Sequence, residues 1–456
     1  MNLATGRILN GPTVSEKAND TYDWYRLAAL GALTTVLTLA TPFVFRAWGD
    51  NGYMAVTIPV GILAIIAMRV AERTPTRQAL ILIFGVAIVL RIVLLFIEPL
   101  LSTDIYRYVW DGRVQAAGIN PYRFVPADAA LSALRDEAIY PRIYRADYAV
   151  TIYPPVAQFF FFLVTRVSES ITMMKLALLG CEAVTVFVIW ALLEKLGKPV
   201  TRIVAYLWHP LPMWEIANSG HIDALMVALM MLGVCLALRA QPLRGAAVVA
   251  LAALAKPFAL MALPPLWRAW DWKMPLLVVA VLALCYAPYL SVGTGVLGFL
   301  TAGYLQEESL ASGNTIWPLA AWRFLFGVMR GDVAAYWSIA LLAGGAVALV
   351  VSHRQPRSAE TVLADINKLL LAALLLISPN YPWYFLAIVP FVALHGGAPV
   401  WTASIAVLLL QEEAGWGEHV PILIRKSLLY GAFIAACAFA IWRTWSSQGA
   451  DKRRPA

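Results

Sequence analysis

"ALILIFGVAIVLRIVLLFIEPLLSTDIYRYVWDG", residues 79–112, sets an apolar run directly against a polar, aromatic segment. The run 79–97 carries one charge, Arg91. As a helix it is long enough to cross the roughly 30 Å hydrocarbon core of a bilayer. The segment behind it, continuing to Tyr122, holds Asp104 and Asp111 seven residues apart. Arg107 and Arg113 follow them closely, and a Gly-Ile-Asn-Pro turn begins at Gly118. A membrane span followed at once by this much ionisable chemistry predicts an all-α, polytopic membrane protein with working groups at one membrane surface.

The composition agrees. Of 456 residues, 61% are hydrophobic and 14% charged, and the mean hydropathy is +0.71. A soluble domain would carry roughly 25% charged residues. The first 22 residues are polar and mixed in charge, so no removable signal peptide is expected and the first apolar run is a retained span. The net charge of +8 follows from cytoplasmic loops rich in Lys and Arg, and no nucleic-acid partner is expected. Cys181, Cys235, Cys285 and Cys437 all lie in apolar runs without metal-ligand spacing, which argues against a disulfide or zinc framework.

Candidate spans fall at 25–45, 53–71, 79–97, 171–194, 201–217, 222–239, 243–256, 258–269, 274–291, 334–352, 363–378, 384–395, 399–411 and 422–443, about fourteen. Several are shorter than a full crossing. Those near 201–217, 243–269 and 363–395 read as half-crossings or broken pairs, with breaks such as Lys256-Pro257 and Ser378-Pro379. Broken backbone at membrane depth is tolerated only where it lines a protein-walled or watery cavity, so the breaks predict a cavity.

One set of loops carries the positive charge: Arg69, Arg73 and Arg77; Lys195, Lys198 and Arg202; Arg239 and Arg244; Arg268 and Lys273; Arg354 and Arg357; Lys452, Arg453 and Arg454. The positive-inside rule places these loops and both termini in the cytoplasm. Residues 101–150, with six Arg against five Asp and one Glu, then face outward, as do Glu412, Glu413 and Glu418. The organisation expected is a cytoplasmic N-terminus and hairpin at 1–78, a membrane core at 79–395, and a C-terminal hairpin with a basic tail at 396–456. The core includes one external insertion, 101–170, in which 127–138 reads as a short amphipathic helix. There, 156–168 reads as a Phe-rich helix lying along the interface.

Each cluster of polar residues admits two readings. Asp104 is placed to act as a general base on a hydroxyl, or as a helix cap behind Ser102 and Thr103. On a helix Asp111 shares its face, with Arg107 between them, either as a second carboxylate contacting substrate or as an ion-pair partner of Arg107. Arg107 and Arg113 have the forked donors that bind phosphate. "TIYPP", 151–155, brings Tyr153 to the cavity or to an aromatic belt. "WEIANSGHIDA", 214–224, gathers Glu215, Asn218, His221 and Asp223, for hydrogen bonding to a sugar or phosphate or for a divalent metal. Lys256 at a half-crossing needs an anion, either a lipid phosphate or a carboxylate such as Glu215 or Glu182. "SPNYPWYF", 378–385, adds Asn380 and Trp383, and 306–318 adds Glu307, Glu308, Asn314 and Trp317. Arg91 reads as reaching outward to lipid phosphates. The chain has no GxxxxGK[ST] phosphate loop and no Ser/His/Asp constellation, so any enzyme chemistry needs a donor supplied from the membrane.

In this order, Asp104 with "YRYVWDGRVQAAGINPY", then "TIYPP", "HPLPMWEIANSGHIDA", "LAALAKP" and "SPNYPWY", the chain resembles the GT-C glycosyltransferases. Within them it is most similar to the bacterial mannosyltransferase-like branch that uses polyprenol-phosphate-mannose, over residues 79 to about 395. The resemblance implies an inner-membrane enzyme with a periplasmic active site, a polyprenyl-phosphate-sugar donor, and a lipid or glycan acceptor among the membrane lipids. It implies Asp104 as catalytic base, Arg107, Arg113 and Lys256 on the donor phosphate, and Asp111, Tyr153, Glu215, His221, Asp223, Asn380 and Trp383 around the substrates. Two departures stand out. Three spans precede the acidic loop, and Tyr106 occupies the second acidic position of the usual DxD pair, which leaves metal dependence open. The competing expectations are a flippase for a lipid-linked glycan, which inverted repeats would accompany, and a glycan polymerase or ligase.

Overall fold

A computed structural model of the protein describes residues 14–354, 358–411 and 422–451. Arg357, the acids at 412, 413 and 418, and the tail residues Lys452, Arg453 and Arg454 lie outside them. Among the described residues there are helices and no strand. Six helices are long and apolar enough to cross a membrane: Tyr22–Ala71, Thr76–Phe96, Ile171–Lys195, Lys273–Leu297, Asp332–His353 and Ile422–Ser446. Pro210–Asn218 and Asp223–Leu238, bent by 119° at the break between them, make a seventh if taken as one span. The protein is an all-α membrane protein.

Many of the roughly fourteen expected spans and half-crossings are too short to cross, for a physical reason. The candidates 25–45 and 53–71 correspond to the two helices that meet at non-helical backbone at Gly49 within Val14–Ala71 (α1). Five other apolar helices span only 10–17 residues: Pro155–Val167, Pro242–Ala253, Pro257–Leu266, Pro382–Leu394 and Ala398–Leu410. Each has a proline within its first turn. Proline suits a helix start, because its missing N–H would be unbonded there anyway, but it stops the helix arriving from upstream. These prolines cut the apolar sequence into short pieces.

Thr76–Phe96 (α2) leads into Asp104–Ala116 (α3), and Pro155–Val167 (α4) precedes Ile171–Lys195 (α5). The α4 boundaries agree with the interfacial helix expected at 156–168. The stretch expected as an amphipathic helix at 127–138 forms only a short 3-10 turn, Ala129–Leu134, capped by the Asp128 side chain. Helix α3 packs along α4, and Gly112 permits the approach: a Cβ there would lie 2.5 Å from the Phe161 carbonyl oxygen. The centre of the molecule is the segment 203–228, in which every residue is buried. Trp208 and Trp214 lie within it, so the polar break of "WEIANSGHIDA" sits inside the packed core.

Buried charges are paired across long stretches of sequence. Arg91 does not reach outward to lipid: its guanidinium makes a two-pronged bond to Glu182, at 2.7 and 3.1 Å, and a third to the Leu207 carbonyl. Lys175, fully buried, donates to carbonyls at the end of α2, including Ile97 at 2.5 Å, and so closes that helix. The segment Gly293–Gly298 has GxGxxG spacing, but it lies within helical turns and no strand precedes it among the described residues. It is therefore not a dinucleotide-binding turn.

Candidate active site

Helix α3 starts at Asp104, with Thr103 in the cap position and no side-chain cap bond. Asp104 is therefore not a capping residue, and Ser102 Oγ instead accepts from the Asp104 backbone N–H. The Asp104 carboxylate enters a small cavity with Arg107, Tyr144, Arg145, Tyr153 and Phe299. Burial raises its pKa above the ordinary aspartate value. The Lys256 charge opposes this most strongly, followed by Arg145, the Tyr153 hydroxyl and Arg107. A carboxylate held this way takes a proton more readily than an exposed one while remaining ionisable.

Asp111 is placed quite differently. One oxygen accepts from Arg107 Nε at 2.7 Å, and the other from Thr151 Oγ1 at 2.5 Å and Gln158 Nε2 at 2.9 Å. Arg107 also donates to the Ala149 carbonyl. Asp111 ties α3 to the 149–158 strap and α4. The Arg113 guanidinium donates to Glu169, Asp136 and the Leu134 carbonyl. The Gly-Ile-Asn-Pro segment is a turn, with Gly118 at φ 75° and Asn120 bonded to Ser291 and the Tyr289 carbonyl.

The "WEIANSGHIDA" break brings His221 against Asp104, and Glu215 against His221. Residues Met213–Asn218 form a π-helical turn, and the His221 N–H then bonds back to the Glu215 carbonyl at 2.8 Å. The turn passes through Gly220 at φ 70°, where a Cβ would also lie 2.5 Å from Ile105. The result points His221 Nε2 at Glu215, 3.2 Å away, and His221 Nδ1 at Asp104, 3.9 Å away. The two imidazole nitrogens and both Glu215 oxygens are enclosed by protein and have no hydrogen-bond partner among the described residues, the contacts above being close but not aligned. Neither side chain has any exposed surface. Trp383 stacks on the His221 ring at 4.2 Å and on Tyr381 at 4.4 Å, so both its faces are covered.

Lys256 settles on Asp223, at 2.5 Å, and not on Glu215 or Glu182; Glu182 is held by Arg91. Its ammonium also lies 4.4 Å from the Tyr384 ring and keeps a face toward a second, larger cavity. This cavity, about 380 Å³, is lined by apolar side chains such as Phe258, Met261, Leu300 and Ile377. Tyr304 and Tyr384, bonded to each other through their hydroxyls, join Glu308 in its wall. Ile152 and Tyr153 border both cavities, so the apolar chamber and the Asp104 chamber are neighbours. Asn380 lies behind Glu308, donating to it at 2.9 Å and accepting from the buried Lys426 at 2.8 Å.

Asp104, Tyr153, Glu215, His221, Asp223 and Lys256 thus converge. Arg113 lies apart, Asp111 is inward-bonded, and Asn380 and Trp383 support the wall. Arg145 was missed by sequence reasoning. Its guanidinium pairs with Glu307 at 2.6 Å, packs over the Tyr144 ring, and has a buried, unbonded Nε beside Asp104. It is placed there by a left-handed backbone, φ 61°, at a residue type for which no sequence signal marks that conformation. Among the described residues, no group of three His, Cys, Asp or Glu is arranged to hold a metal ion.

No curated protein and no solved structure matches the chain. A family model does match: residues 22–272, more than half of the chain, fit the N-terminal domain of the alpha-(1->6)-mannopyranosyltransferases. That stretch contains α3, the bent 210–238 pair and Lys256. The chain is therefore a membrane glycosyltransferase belonging to the alpha-(1->6)-mannopyranosyltransferase family.

Proposed function

We propose that this protein transfers a mannosyl residue, with inversion, from a polyprenyl-phosphate-linked sugar to a hydroxyl of a lipid or glycan acceptor. The reaction takes place at the periplasmic face of the bacterial inner membrane, with both termini of the chain in the cytoplasm and a GT-C arrangement of the core. The observation that carries this reading is the adjacency of the two chambers. An apolar cavity with a lysine at its wall meets, across Tyr153, a polar one built around Asp104.

Asp104 accepts the proton of the acceptor hydroxyl as that oxygen bonds to the anomeric carbon. The bond from that carbon to the phosphate oxygen breaks on the opposite face. Phosphate leaves as an anion and needs cations more than an acid. Lys256 has three ammonium donors, of which Asp223 uses one. Arg145 and Arg107 stand on the Asp104 side. The isoprenoid chain takes the apolar cavity, lined by Phe258, Met261 and Ile377.

The test is purified protein in lipid nanodiscs with synthetic polyprenyl-phosphate-mannose and a panel of acceptor lipids. Release of polyprenyl phosphate that requires an acceptor and is lost in Asp104→Asn is the expected result. Undiminished release by Asp104→Asn sinks the role of Asp104. A wild type inert toward every polyprenyl-phosphate sugar, yet able to flip labelled lipid, sinks the transferase reading of the site.

A further inference from the structure

We infer that Glu308 reads the donor sugar, its carboxylate accepting hydroxyls of the pyranose ring while the phosphate lies against Lys256. The inference rests on the proposed polyprenyl-phosphate-sugar donor, and the residue lies outside the matched stretch 22–272. Helical turns over Leu300–Tyr304 and Leu305–Glu307 carry the chain to Glu308, which lines the larger cavity with 8% of its surface exposed. One carboxylate oxygen accepts from Asn380 Nδ2 at 2.9 Å. The other accepts no hydrogen bond among the described residues, and it is not one of the atoms that protein encloses. An acceptor is therefore left open at the cavity wall. Its neighbour Glu307, by contrast, is paired with Arg145.

The structural role open to such an acid is to balance Lys426, the buried ammonium of the helix Ile422–Asp451. That role does not use the open oxygen. Lys426 donates to the Thr315 carbonyl at 2.7 Å, the Ser378 carbonyl at 2.5 Å and Asn380 Oδ1 at 2.8 Å. An ammonium has three donors, so none is left for Glu308. Asn380 stands between them, and its orientation is forced: its oxygen must meet the lysine, which only donates, and its NH₂ the carboxylate, which only accepts. The lysine and the amide thus aim Glu308 and leave one oxygen for a ligand. An acceptor in a largely apolar wall is satisfied only by a ligand that donates. Phosphate oxygens of the donor are repelled there and isoprenoid carbons have no donor, whereas sugar hydroxyls do. Lys256, of opposite charge, lies over the Tyr384 ring; Tyr384 bonds to Tyr304, and the Tyr304 carbonyl accepts from the Glu308 N–H. Cation and anion therefore share one wall and sort the two ends of the head group, phosphate to Lys256 and hydroxyls to Glu308.

The test compares Glu308→Gln with wild type in nanodiscs, using polyprenyl phosphates that carry mannose or its 2-, 3-, 4- or 6-deoxy form. Wild type should lose kcat/KM on the order of 100-fold with at least one deoxy donor, the cost of a hydroxyl bonded to a charged group. Glu308→Gln should lose a similar factor with mannose, and its penalty for that deoxy donor should nearly vanish. A carboxylate that only supports the fold slows every donor by one factor. That result, or a change confined to acceptor KM, overturns the inference. Glu308→Asp keeps the charge near Lys426 and shortens the reach, so it should show the same loss of discrimination; it decides if Glu308→Gln unfolds early in a thermal scan. A second arm needs neither acceptor nor turnover: tryptophan-fluorescence titration with the mannosyl lipid and with each deoxy lipid. Wild type should bind the mannosyl lipid about tenfold or more tightly than one deoxy lipid, and the Glu308 variants should bind the two alike. A wild type that transfers no sugar sinks the transferase reading, and the titration then decides this inference by itself. Equal binding of all the lipids by wild type overturns it.

Discussion

Asp104 and Asp111 are the same residue type on the same face of one helix, yet they sit in opposite surroundings. Asp111 has both oxygens filled, by Arg107, Thr151 and Gln158. Asp104 has a third of its side chain open to a cavity and cations at a distance. Surroundings, not residue identity or spacing, separate the carboxylate that holds the fold from the one free to accept a proton. The arginines repeat the contrast, with Arg113 consumed by Glu169 and Asp136 and Arg145 left with a buried, unbonded Nε at the cavity.

Five substitutions sharpen or break this comparison. Asp104→Asn is expected to lower kcat by a factor of about 10² to 10⁴. Its thermal unfolding should be unchanged or slightly later, since burial already disfavours the charge it removes. Early unfolding of this variant would make Asp104 structural after all. Asp111→Asn should do the reverse. Breaking a buried, bonded ion pair costs about 3 kcal/mol, read as a lower midpoint in a thermal scan, while kcat of the folded fraction stays close to wild type.

The third case concerns pH. In the proposed role as base Asp104 must be ionised, and its pKa lies above the ordinary value, so activity should climb with pH through a limb above the usual carboxylate range. Lys256 stabilises the ionised form and holds that limb down. Lys256→Gln should therefore move it to higher pH, and Arg145→Gln should move it in the same direction by less. A pH–rate profile unmoved by Lys256→Gln would separate the lysine from the base. The smallest effect is expected for Arg113→Gln. Its carboxylate partners are partly exposed, so the loss is at most about 1 kcal/mol, with donor KM unchanged. A large rise in donor KM there would restore Arg113 as a phosphate ligand.

Much of the architecture was legible because it is local. A run of apolar residues needs no partner to be recognised as a helix for the membrane. The prolines that start Pro155–Val167 and Pro242–Ala253 act on their own turns. Hence the α-helical membrane fold, the helix after "TIYPP" and the turn at Gly118 could all be read directly. The number of crossings could not, since short apolar pieces look alike whether they cross or stop.

Of the site, the sequence by itself determined which segments carry its chemistry: 104–122, 151–155, 214–224 and the Lys256-Pro257 break. Concentrated polar groups in an apolar chain have few other uses. Only the tertiary structure decided who meets whom. Lys256 took Asp223, 33 positions away; Arg91 took Glu182, 91 positions away; and His221 came to lie between Asp104 and Glu215. These pairings depend on how helices distant in sequence are packed, and on single backbone events such as Gly220 and Arg145 adopting positive φ. A charge alone does not name its partner. The packing of the helices around the 203–228 core does.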